Sequence, residues 1–155
     1  MMYFTKTYFN SDSEGQQMEV ALRKFASKRH TSLDFQSSST DIGTEKRFLG
    51  YEGKKDLKFT RLRTSFEKYL PKMIISLPKD TNQNYYKIRL SFLTTVVLGI
   101  FSACFVLTVA LIIVGKITLG GFFAILMLYV VYLLLIYLEL KLTNSRIEGV
   151  VGQRS

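Results

Sequence analysis

The chain has 155 residues, 48% of them hydrophobic, with 21 Lys/Arg against 12 Asp/Glu and a formal net charge of +9. A single cysteine, Cys104, excludes an intrachain disulfide, and with a single histidine, His30, the composition argues against a transition-metal site. No glycine-rich phosphate loop and no nucleophile–histidine–acid arrangement is present, so no cofactor and no catalytic residue is expected.

In chain order, Met2 to Phe9 is rich in aromatic and β-branched residues and predicts a strand. Ser11 and Glu14 form an S-x-x-E pattern, a capping box. Met18, Ala21, Leu22, Phe25 and Ala26 follow at helical spacing, which predicts a helix from about Asp12 to Lys28. Residues 31–45 are polar and serine-rich without a sustained period, and read as a loop. Phe48 to Tyr51 and Leu57 to Arg63 flank a polar EGKKD turn and predict a hairpin. Lys72 to Leu77 and Tyr85 to Leu90 read as two further strands joined by PKDTNQN, a run of turn-forming residues. In the last strand, Tyr86, Ile88 and Leu90 fall on one face and Tyr85, Lys87 and Arg89 on the other. Thr64 to Leu70 is ambiguous between a helical turn and a strand. The resulting β-α-β-β-β-β order predicts an α+β domain over residues 1–91, an antiparallel sheet with one helix on a face.

Phe92 to Val114 and Ile117 to Leu138 contain no charged residue. As helices at about 1.5 Å per residue, either run crosses a hydrocarbon core of roughly 30 Å. Residues 92–138 therefore read as a transmembrane hairpin bent at Gly115–Lys116, with Gly120 and Gly121 available to lengthen the bend. Glu139 is expected to end the second span, leaving 139–155 as a tail. Residues 46–89 hold 12 Lys/Arg against 4 Asp/Glu, just before the first span. The positive-inside bias then places both termini in the cytoplasm and the whole in the cell membrane as a multi-pass protein. Gly99 with Ala103, and Gly120 with Ala124, are candidate helix-packing residues, because small side chains four apart let helices approach closely. Tyr132 and Tyr137 are candidate interface anchors. Mid-span Thr94, Thr95, Ser102 and Thr108 are expected to bond back to helix carbonyls.

The succession Phe48-Leu49-Gly50, Lys58-Phe59 with Arg61, Ser65-Phe66, Leu70-Pro71 and Arg89-Leu90 entering a span resembles a group of small uncharacterised bacterial two-span membrane proteins with an N-terminal α+β region. The resemblance covers roughly residues 45–115, and Glu67-Lys68-Tyr69 separates two of its motifs here. It implies this architecture and a bacterial setting, with no activity to carry over.

Three readings of the basic excess compete: topology, anionic lipid headgroups and nucleic acid. Headgroup contact is assigned to Lys72, Lys79, Lys87 and Arg89, where each basic residue near a membrane surface contributes roughly 1 kcal/mol. Nucleic acid is disfavoured, because strand aromatics are more often core than stacking platforms and no recognised motif is present. The sequence therefore predicts a non-enzymatic integral membrane protein, a small subunit or scaffold of a cytoplasmic-membrane assembly with a basic docking domain. Its partners are expected to be the anionic bilayer and either further copies or other membrane subunits. The rival is a self-oligomerising membrane effector or channel controlled by the cytosolic domain.

Overall fold

The computed structural model describes residues 3–9, 11–34, 46–65, 67–79, 85–116 and 118–152. Strand β1 (Tyr3–Tyr8) is followed by α1 (Asp12–Phe25), β2 (Ala26–Arg29), β3 (Phe48–Glu52), β4 (Asp56–Arg61), a 3-10 turn (Glu67–Tyr69), β5 (Met73–Pro78) and β6 (Tyr85–Leu90). Two long helices complete the chain, α2 (Phe92–Ile113) and α3 (Leu119–Val151). The class is α+β, as the sequence predicts. Residues 35–45 of the 31–45 loop, most of the PKDTNQN connection and Phe66 lie outside the described residues.

The six strands form one sheet in the order β1-β6-β5-β4-β3-β2. Every neighbouring pair is antiparallel except β2 and β3, which are parallel. The sheet is therefore mixed, and the extra strand is β2, whose Ala26 to Lys28 fall within the helix that the spacing predicts. Helix α1 starts as the capping box predicts, with the Ser11 hydroxyl accepting from the Glu14 amide, but it stops at Phe25 when Ala26 turns extended. The reason is the distance it must cover. β1 and β2 are opposite edges of the sheet, about 24 Å apart at five strand spacings. The 14 residues of α1 are about 21 Å long, so the helix crosses one face from edge to edge and has no further to go.

Strand alternation divides the core. On the helical face, Phe48, Leu57, Phe59, Met73, Ile75, Leu77, Ile88 and Leu90 pack with Met18, Ala21 and Leu22 of α1. That cluster also takes in Leu98 of α2 and Ile136, Ile147 and Val150 of α3. On the other face, Leu49, Leu62 and Ile74 are closed by Leu33. Gly50 sits where a Cβ would meet the Phe59 ring at 3.2 Å and the Ala26 methyl at 3.3 Å, which lets β2, β3 and β4 lie close together.

Both α2 and α3 are long and apolar enough to cross a membrane. α2 ends in a Schellman motif: Lys116 N–H reaches Leu111 O at 2.9 Å, Gly115 N–H reaches Ile112 O at 2.8 Å, and Gly115 has φ +70°. Gly120 and Gly121 lie inside α3 and do not lengthen the bend. α3 also does not end at Glu139. Its 33 residues make a rod of about 50 Å, well beyond a hydrocarbon core of about 30 Å. The residues expected to form a tail continue the helix and pack their Thr143, Ile147 and Val150 side into the domain.

Candidate functional site

The charged centre of the molecule lies where α3 leaves its apolar stretch and meets the sheet. Arg61 is the last residue of β4, two positions beyond Phe59 and hence on the helical face. Glu139 lies on the same side of α3 as Ile136 and Thr143, at helical spacing. The Glu139 carboxylate is 1% exposed and receives Arg61 Nη2 at 2.7 Å and Arg63 Nη2 at 3.3 Å. Arg63 also donates to the carbonyls of Leu70 at 2.8 Å and Pro71 at 2.9 Å, which fixes the chain just ahead of β5. Arg61 Nη1 forms an ion pair with Glu67 Oε2 at 2.8 Å. Glu67 accepts from the Thr64 amide at 3.0 Å.

Two guanidinium groups and two carboxylates are thus gathered with no net charge. Burial opposes the charge on Arg61, but Glu139 and Glu67 outweigh it and raise its pKa. Burial also opposes the charge on Arg63 and leaves its pKa lowered, although a guanidinium stays protonated throughout the physiological range. For Glu67 burial works against ionisation, yet the Thr64 amide and Arg61 prevail and its pKa is lowered. Such a network holds two elements in one register, because separating them leaves charges buried without partners.

A second cluster ties α2 to the same sheet. Ser91 caps α2 by accepting from the Thr94 amide, and its own amide bonds to Lys72 O at 2.9 Å. Thr94 Oγ1 accepts from the Lys72 amide at 3.1 Å. Asp34 holds both terminal nitrogens of Arg89 at 2.8 Å and accepts the Phe92 amide at 3.1 Å. Its hydrogen bonds from Arg89 lower the Asp34 pKa. Lys72 donates to Leu33 O at 2.6 Å, and burial brings its pKa down to about 8.

The four residues assigned to lipid headgroups are not brought together. The Arg89 side chain is 3% exposed and engaged by Asp34. Lys72 is half-buried beside Leu33. Lys79 follows β5 at the end of the sheet far from α2 and pairs with Glu52 at 2.9 Å. Lys87 lies on the sheet face with its ammonium over the Tyr85 ring. Gly99, Ala103, Gly120 and Ala124 are all exposed, and a Cβ on either glycine would meet nothing within 4 Å. Aromatic rings make the contact between α2 and α3 instead: Phe101 stacks on Tyr132 at 5.1 Å and Phe105 on Tyr129 at 5.5 Å. Tyr132 is half-buried and donates to Thr94 O, whereas Tyr137 is exposed. Ser102 and Thr108 bond back to Leu98 and Cys104 carbonyls, as expected of mid-span hydroxyls.

Sequence reasoning missed Glu139 as a partner. The available signal was the spacing of Ile136, Glu139, Thr143, Ile147 and Val150, a stripe running on past the apolar stretch. Among the described residues no group of acidic, histidine or cysteine side chains could hold a metal ion. Comparison with protein families, with curated proteins and with solved structures finds no match. The fold and the junction define a class by themselves: an α+β domain built onto a helical hairpin that is long and apolar enough to cross a membrane.

Proposed function

We propose that this chain is a non-enzymatic two-span protein of the cell membrane, a small subunit or scaffold that fixes a basic cytoplasmic domain against the bilayer. The observation that carries this reading is the Arg61–Glu139–Arg63 junction, together with the absence of any linker between Leu90 and α2. A domain held to both helices presents its surface at a set height and angle to the membrane, which suits a docking platform. The apolar surface of both helices is almost wholly uncovered by the chain itself, so lipid or other spans are its natural surroundings. Both termini belong on the cytoplasmic side, with Lys116 outside. Purification from the native host in mild detergent, with mass spectrometry and light scattering, tests the reading. Stoichiometric membrane companions are expected, and a complex of this chain alone would count against it.

A second reading, a self-assembling membrane effector driven by its domain, is favoured by one observation. α3 is a single helix from the apolar stretch into the core, so a change in the domain would be carried directly to the hairpin. In that case Gly99, Ala103, Gly120 and Ala124 would face other copies. Replacing Gly99 and Gly120 by Leu should then abolish a homo-oligomer seen by light scattering, and an unchanged mass would remove this reading.

A further inference from the structure

The face of the sheet opposite α1 carries a row of side chains that neither junction uses. Register pairs Lys6 with Lys87, Lys87 with Ser76, Ser76 with Lys58, Lys58 with Tyr51, and Tyr51 with Arg29. One line across all six strands, about 24 Å long, thus holds four cations and no carboxylate. Among the described residues, Lys6, Lys58 and Arg29 make no ion pair. Among the described residues, the acids nearest this row are Asp34, which Arg89 holds and on which the Lys58 charge also acts, and Asp56 at the start of β4. Lys6 and Lys87 lie directly opposite each other. Their ammonium groups meet over the Tyr85 ring at 4.2 and 4.8 Å, and Lys6 is also 4.5 Å from the centre of Tyr8, which is 65% exposed.

We propose that this face, beyond the part that Leu33 covers, binds single-stranded nucleic acid, with Lys6, Lys58 and Arg29 meeting phosphates and Tyr8 stacking a base. The length of the row calls for an extended polyanion rather than a small ligand. An exposed ring among lysines supplies a platform that every base can use. An acidic peptide would satisfy the charges but leave the ring without a role. Lipid headgroups fit less well, because the row begins three residues before Leu90, about 10 Å along β6 from the end that meets α2. The sequence-based objection, that strand aromatics are core, holds for Phe59 and Tyr86 but not for Tyr8.

The test uses the full chain in nanodiscs of zwitterionic lipid, with fluorescence anisotropy of labelled 20-mers of dT and rU. Binding should weaken steeply as salt rises. Lys58→Gln should lower the slope of log affinity against log salt by about 1, a change that a purely structural lysine would not produce. Tyr8→Ala should weaken binding about tenfold, and Tyr69→Ala, an exposed ring elsewhere, should leave it unchanged. Arg29→Gln on the edge strand repeats the charge test at a second position. Binding should persist when anionic lipid is added to the discs. The proposal is overturned by no binding at low salt, by affinity indifferent to both charge variants, or by polyglutamate displacing the oligonucleotide at equal charge concentration. Loss of binding in anionic discs would overturn it in favour of headgroups.

Discussion

At Glu139, one carboxylate answers two buried guanidinium groups, so its removal is the most damaging single change to expect. Glu139→Gln keeps the shape but leaves two buried guanidinium groups with Glu67 as their one remaining carboxylate, and breaking a buried pair in this way costs about 3–5 kcal/mol. Thermal unfolding of the variant in detergent, set beside the exposed control Glu148→Gln, measures this, and equal midpoints would contradict it. Lys72 gives a pH signature. Burial sets its pKa near 8, against an ordinary 10.5, so between those values the unfolded chain holds a proton that the folded one has released. Stability should therefore rise with pH across that window, and Lys72→Met should remove the rise. Asp34 acts at the other end. Its pKa is depressed by Arg89, so the stability it contributes is present above the ordinary 3.8 and disappears as pH falls through the lower folded value.

Among the elements, α3 is the one whose role changes most when its neighbours are known. Inserting one alanine between Leu138 and Glu139 rotates everything beyond it by about 100°. Glu139, Thr143, Ile147 and Val150 would then leave the sheet together while the apolar stretch stays intact. Protease resistance of β4 and β5 should fall sharply, and retained resistance would show that the junction is dispensable. The strands were legible because alternation is local: Ile88 and Leu90 face the core and Arg89 faces away, as the pattern of β6 implies. β2 was not legible. Ala26 to Arg29 continues a helical pattern in cations and small residues, and only the width of the sheet explains why the chain becomes a strand there.

For the molecule as a whole, the α+β domain and the apolar helices share one core. Leu98, Ile136, Ile147 and Val150 belong to the same cluster as Phe48 and Ile88. Residues 1–91 alone lack those four side chains and Glu139, and a domain of about 90 residues has little core to spare. Expressed separately, they should show no cooperative unfolding transition, and a sharp one would mean that the hairpin is only an anchor.

The two apolar helices, the tight bend between them, most of the strands and the basic character of the domain can be read along the chain without knowing any neighbour in space. Each is written in short-range terms, as an uncharged run, a glycine at a turn or a period of two. Only contacts between distant segments fix which arginines are internal, which face of the sheet α1 covers, and that the last turns of α3 belong to the domain. Those facts depend on pairs such as Arg61 with Glu139 and Asp34 with Arg89, 78 and 55 residues apart. A buried charge recruits its partner by proximity in space, and no local pattern along the chain records that proximity.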